Sequence, residues 1–200
     1  MRVIHIIPSA FEYFGDIRSQ AFKLLEGLHK IGVDAEAFTL QYGLTSKALK
    51  ASVAEDAPSV HAFKGSVGAD DLVENLKDFD IVHLHCPFLG AARKIINWKN
   101  LHPNIPLVVT YYREVPFEDV FSLFIKLYNF YFLPKLFALS SVVVCQNFET
   151  FKSSSGAGYM NDKIRLAVID EIELDKEIGN LDVKEAVAAK TLMVYNSLIS

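Results

Sequence analysis

The sequence predicts an α/β domain, a parallel β-sheet with helices on both faces. Short, nearly continuous apolar runs recur along the chain, among them Val3–Ile7, Leu107–Tyr111 and Ser141–Cys145. Such runs are the mark of strands covered on both sides. The segments between them carry apolar residues at helical spacing, as at Ala21, Leu24, Leu25 and Leu28. Glycine and proline separate the two kinds of segment, notably at Gly32, Pro87 and Pro106. Alternating strands and helices of this kind stack as a sheet between two helical layers.

In chain order, Val3–Ile7 reads as the first strand and Ser19–Ile31 as the first helix, stopped by Gly32. Ala35–Leu40 is a second strand; Tyr42–Pro58 has weak periodicity and reads as loop; Val60–Phe63 is a third, shorter strand. Asp70–Leu76 is a short helix whose opening acids suit the positive helix N-terminus. Asp80–His85 is a strand ended by Pro87, followed by a helix over Leu89–Trp98. Pro106 introduces the strand Leu107–Tyr111. A long aromatic-rich helix starts near Phe117 and must bend or break near Pro134, which cannot donate a backbone hydrogen bond. Ser141–Cys145 is a strand, Asn147–Lys152 a short helix, Ser153–Gly158 a flexible loop and Ile164–Ile169 a strand.

Two hundred residues, about half of them apolar, bound the chain to one well-cored domain with at most a short extension. A net charge of −4 without a basic block argues against a nucleic-acid partner. Cys86 and Cys145 each follow a β-branched run and read as small core residues, so a disulfide framework is not expected. The apolar run after Arg2 is too short for a signal peptide. The segment Phe117–Val144 is interrupted by Lys126, Asn129, Pro134 and Lys135, which excludes a spanning helix but leaves surface contact open. A cytoplasmic location follows, with peripheral contact at the inner membrane face left open.

Ligands of parallel sheets bind beyond the carboxyl ends of the strands. That rule gathers the loop at Gly15, the strand end at His85 and the segment Tyr112-Arg113-Glu114 at one rim. Gly15 precedes a helix, where backbone N–H groups attract a phosphate, although a lone glycine serves equally as a turn residue. A phenol, a guanidinium and a carboxylate at Tyr112, Arg113 and Glu114 suit sugar hydroxyls or an anionic group. His83 and His85 project to one face of their strand. With no third ligand at a suggestive spacing, no metal is expected. His85 is expected to approach the crevice and its neighbour to pack beneath a helix. No G-x-G-x-x-G and no P-loop lysine motif is present, so a dinucleotide cofactor is not expected either.

In order and spacing these pieces resemble the N-terminal domain of family-4-type glycosyltransferases of the GT-B fold. The matching pieces are Phe14–Ser19 after the first strand, Asp80–His85, Thr110–Glu114, Val142–Asn147 and Lys163–Leu166. The resemblance covers residues 1–170, and 171–200 read as linker and extension, in which Thr191–Tyr195 looks like the first strand of a second domain. It implies a Rossmann-like acceptor-side domain, with a donor-side domain opposite, and transfer from a nucleotide-sugar to a saccharide or lipid-linked acceptor. No cofactor is implied. Tyr112 and Glu114 fall at the catalytic positions; Gly15, Asp16, Arg18, His85 and Arg113 fall at the donor-diphosphate side. The donor-domain signature Glu-x7-Glu has no counterpart here, which makes activity of this chain alone unexpected and implies a donor-domain partner chain or self-association. Asp16 stands where the family has a second glycine and Tyr112 where it has a histidine. Two like charges ~4 Å apart at an effective dielectric near 20 repel by about 4 kcal/mol, so Asp16 opposes a diphosphate. These departures favour the alternative of a non-catalytic binding or partner subunit.

Overall fold

The computed structural model describes residues 1–8, 15–41, 60–64, 73, 76–112, 121–178 and 183–199. Seven parallel strands form one sheet: β1 (Arg2–Ile7), β2 (Asp34–Gln41), β3 (Val60–Lys64), β4 (Ile81–Cys86), β5 (Leu107–Tyr111), β6 (Val142–Cys145) and β7 (Leu166–Val168). The spatial order is β3-β2-β1-β4-β5-β6-β7, so the sheet grows outward in both directions from the β1–β4 pair. The helices are α1 (Gly15–Lys30), α2 (Ala92–Leu101), α3 (Phe121–Tyr131), α4 (Leu133–Leu139), α5 (Phe148–Lys152), α6 (Glu171–Ile178) and α7 (Val183–Ile199). This is the α/β, Rossmann-like architecture expected from the alternating pattern.

Two cores form because successive strand residues point to opposite faces. Ile4, Ile6, Val82, Leu84, Val109 and Val143 face one side, beneath α2, α3 and α4. Val3, Ile7, Ile81, Val108, Val142 and Val144 face the other, beneath α1, α6 and α7. α1 and α2 therefore cover opposite faces, and the β1–β4 boundary is the switch point of the sheet.

Local chemistry sets the ends of the elements. Gly32 has φ 81°, a left-handed turn that ends α1, and its amide donates to the His29 carbonyl at 3.0 Å. Asn147 caps α5, its Oδ1 accepting from the Thr150 amide at 2.9 Å. The aromatic helix does break: α3 ends at Tyr131 and α4 begins at Leu133, with Pro134 in its first turn, where the missing N–H costs nothing. The expected start at Phe117 and the loop over Tyr42–Pro58 lie outside the described residues. So does most of the expected Asp70–Leu76 helix; Leu76–Asp78 forms a 3-10 turn.

Two expectations need correction. Thr191–Tyr195 is not a strand but part of α7, because Ala188, Thr191, Val194 and Tyr195 form a buried stripe at helical spacing. A short β-branched run hid that longer period. The stretch Ser153–Gly158 is not a loose loop, since Ser155–Tyr159 forms a 3-10 turn. There Gly156 lies against the Tyr111 ring, 3.3 Å from where a side chain would begin. Beyond β7 the chain leads straight into α6, whose start Asp170 caps by accepting from the amides of Ile172 and Glu173 at 2.9 and 3.2 Å. Among the described residues no helix is long and apolar enough to cross a membrane.

Candidate functional site

The residues of interest collect where β1, β4 and β5 run side by side. His5 lies opposite His83 in the β1–β4 register, and His85 opposite Thr110 in the β4–β5 register. The pleat turns His5, His83, His85 and Thr110 to the face covered by α1 and α7. Tyr112 follows the last residue of β5 on the same side, and its amide donates to the Cys86 carbonyl at 3.4 Å. All three histidines and Tyr195 of α7 are fully buried; Tyr112, at the carboxyl rim, is only partly buried.

These groups form a linear chain of hydrogen bonds. The Tyr112 hydroxyl meets His85 Nδ1 at 2.7 Å, and His85 Nε2 meets His5 Nδ1 at 2.9 Å. His5 Nε2 meets the Tyr195 hydroxyl at 3.3 Å, which meets His83 Nδ1 at 2.6 Å. His83 Nε2 ends the chain on Thr110 Oγ1 at 2.6 Å. The rings stack as well, His83 on His85 with centroids 4.5 Å apart and His85 on Tyr112 at 5.7 Å.

A neutral imidazole supplies one donor and one acceptor, so a buried imidazole with two partners is satisfied without charge. Burial lowers the His5 pKa to about 3. It also holds His83 and His85 well below the ordinary histidine value, with neighbouring imidazoles adding to the effect. Burial raises the phenols of Tyr112 and Tyr195, and the Glu171 carboxylate raises Tyr112 further. Around neutral pH the whole chain is therefore uncharged. Tyr112 acts as a hydrogen-bonding phenol and not as a proton-exchanging base.

The nitrogens of His5, His83 and His85 lie within 4.8 Å of one another, close enough to raise the question of a metal. All their ring nitrogens, however, already have hydrogen-bond partners. The 2.9 Å His5–His85 contact needs a shared proton, whereas metal ligation requires both lone pairs to face an ion at about 2.0–2.1 Å. The donor set as arranged fits a proton chain better than a metal centre.

Two readings of the histidines change accordingly. The missing third member exists, and it is His5, from a different strand. His85 does not reach the crevice; it is buried, and among the described residues Tyr112 is what connects it to the rim. Of the other expected site residues, Gly15 and Asp16 open α1 and Arg18 is half-exposed one turn into it. Arg113 and Glu114 lie outside the described residues. Sequence reasoning missed His5 and Tyr195. A histidine inside Val3–Ile7 was a signal for the first, because a polar group in a twice-covered strand needs a partner. Tyr195 carried none until α7 was known to fold back over the sheet.

No protein-family model matches the chain, and none of the curated proteins compared with it does. Solved structures do match. One is an alpha-glucosyltransferase in complex with UDP and a 13-mer DNA containing an HMU base, with TM-score 0.55 and 12% identity over 88% of this chain and 45% of that chain. A second is an alpha-glucosyltransferase in complex with UDP, with TM-score 0.54 and 12% identity over 88% and 46%. A third is an alpha-glucosyltransferase in complex with UDP-glucose and DNA containing an abasic site, with TM-score 0.51 and 14% identity over 88% and 45%. The chain thus spans less than half the length of the structures it matches. At such identities the likeness speaks for the fold, which is a Rossmann-like layer of the GT-B glycosyltransferase type.

Proposed function

We propose that this domain forms the acceptor-side wall of a family-4-type sugar-transfer cleft, completed by a donor-binding domain. The observation that carries this reading is coverage: 87% of this chain matches 44% of a UDP-bound alpha-glucosyltransferase. The position of Tyr112 just beyond β5 supports it, since ligands of such sheets bind at the carboxyl rim. In the reaction the bond from the donor's anomeric carbon to the nucleoside diphosphate breaks as a bond to an acceptor hydroxyl oxygen forms, and the acceptor's proton passes to the departing diphosphate. Tyr112 and Glu114 would contact the acceptor and the transferred sugar. The first turn of α1, with Gly15, Asp16 and Arg18, would approach the diphosphate together with Arg113. His85 would act through Tyr112, as a positioning residue. The donor domain, on this or another chain, would supply the charge that stabilises the departing diphosphate. A lipid-linked acceptor, a membrane surface or a second copy would find apolar surface in Leu127, Phe130 and Tyr131, exposed on α3.

A second reading, a non-catalytic binding or partner subunit, is favoured by Tyr112 itself, whose phenol is locked onto His85 and resists ionisation. DNA in some of the matched structures is in tension with the expectation of no nucleic-acid partner. The excess of acidic over basic residues keeps a saccharide or lipid-linked acceptor ahead.

Calorimetric titration of the full chain with UDP, UDP-glucose, an oligosaccharide panel and a DNA duplex tests these readings. Saccharide binding is expected, UDP binding only weakly, and sugar transfer not at all without a donor domain. Asp16→Gly is expected to strengthen UDP binding. Micromolar UDP-glucose affinity with turnover by the chain alone would overturn the half-cleft reading. Tight DNA binding without saccharide binding would overturn the choice of acceptor.

A further inference from the structure

We infer that the buried chain carries a single proton order: His5, His83 and His85 are all protonated at Nδ1, and Tyr112 accepts from His85 while turning its own O–H outward. Tyr112 then offers the rim a donor, and so selects a ligand presenting an acceptor oxygen.

The inference follows from counting protons along the chain. A neutral imidazole has one N–H and one lone pair, so fixing one ring's tautomer fixes the direction of both its hydrogen bonds. With every link made, three orders are possible, one for each hydroxyl that can keep the spare proton. If Tyr195 accepts from both His5 and His83, its own proton is stranded, because Tyr195 is fully buried. In the inward order, Tyr112 donates to His85 Nδ1, His85 Nε2–H to His5, His5 Nε2–H to Tyr195, Tyr195 to His83 Nδ1, and His83 Nε2–H to Thr110. Thr110 must then place its hydroxyl proton elsewhere. It is 5% exposed, and among the described residues His83 is its one side-chain hydrogen-bond partner. The inward order therefore strands a donor in the core, which proteins avoid.

In the outward order Thr110 donates to His83 Nε2, and each following group passes its proton toward the rim: His83 Nδ1–H to Tyr195, Tyr195 to His5 Nε2, His5 Nδ1–H to His85 Nε2, His85 Nδ1–H to Tyr112. The proton left over is that of Tyr112, the one member of the chain that is only partly buried, where water or a ligand at the rim can accept it. Every buried donor is satisfied. A buried hydroxyl on β5 thus decides what the rim offers a ligand.

The proton order stands independently of any enzymatic role. The part that concerns the ligand rests on the proposed function, because it takes Tyr112 as a contact for a sugar hydroxyl or phosphate oxygen.

Long-range 1H–15N correlation spectra of the full chain at neutral pH read each histidine tautomer directly. The expected result is three imidazoles protonated at Nδ1 with bare Nε2. Protonation of any of the three at Nε2 overturns the assignment. So does a stoichiometric transition metal retained on purification, which would replace the proton between His5 and His85. Thr110→Ser keeps the hydroxyl and should keep the pattern; Thr110→Val removes it and should yield mixed tautomers. An unchanged pattern in Thr110→Val would show that Thr110 does not set the order. In titrations with saccharide and, separately, with UDP, Tyr112→Phe should lose about tenfold in affinity for whichever presents its acceptor oxygen to the rim. Equal affinity of wild type and Tyr112→Phe for both overturns the ligand assignment. If wild type binds neither, the proposed function fails while the tautomer result still decides the proton order.

Discussion

At the scale of single residues, the buried imidazoles turn fold stability into a function of pH. An unfolded histidine takes up a proton near pH 6.5. In the fold His5 does so only at about 3, and His83 and His85 are likewise depressed by burial. Above pH 6.5 both states are neutral there and these rings add no pH dependence. As pH falls below 6.5 the unfolded chain binds protons that the folded chain refuses, so stability drops. The limiting slope is about 1.4 kcal/mol per pH unit for each ring, or ~4 for three titrating together. Urea unfolding followed from about pH 7.5 to pH 5.5 should show a flat region and then a steep decline. A slope no greater than that of one histidine would mean that two of the rings accept protons in the native state.

Between neighbouring elements, α7 is held to α1 by close approach and by exposed ion pairs near the end of α1. A side chain on Gly27 would lie 2.6 Å from the Lys184 carbonyl oxygen and 2.9 Å from the Ala188 Cβ, so glycine is required where the helices cross. Lys184 reaches Glu26 at 3.0 Å and Lys30 reaches Glu185 at 3.6 Å, exposed pairs of small individual worth. Gly27→Ala is expected to cost about 1–3 kcal/mol by forcing the helices apart. It should also disturb His83, because Tyr195 moves with α7. Thermal unfolding and the His83 imidazole resonances check both. A stable Gly27→Ala protein with unchanged His83 signals would show that the helix contact is slack.

For the whole molecule, the switch point brings the two layers and the polar chain together. Splitting the sheet at β1–β4 puts α1 and α2 on opposite faces, and the chain crosses that boundary from β1 to β4 and β5. The thiols of Cys86 and Cys145 sit under the other layer, pushed by burial up to about 12 and about 11. At such values almost no thiolate exists near neutrality, and the thiolate is what alkylates. Iodoacetamide is therefore expected to leave the native protein unmodified and to label both cysteines at the same urea concentration, where the fold opens as one unit. Labelling of Cys145 at much lower urea would reveal that the β6–β7 edge unfolds separately.

The sheet was legible in the chain because strand and helix periods are local: Val3–Ile7, Leu107–Tyr111 and the Ala21–Leu28 stripe each state their geometry within a few residues. Pro134 announced the break between α3 and α4 for the same reason, through its own missing N–H. The polar chain was half legible. The i, i+2 spacing of His83 and His85 placed both on one face, yet nothing local tied them to His5, or to a tyrosine more than a hundred residues away. Local patterning was enough to assign most of the strands and helices and to put Tyr112 at the carboxyl end of its strand. Packing over long distances set the rest: residues 183–199 fold back as α7, His85 is buried, and Thr110, three histidines and two tyrosines share one line of protons. Partners of a buried polar group are chosen by strand order and helix docking, which are long-range and leave no periodic trace in the sequence.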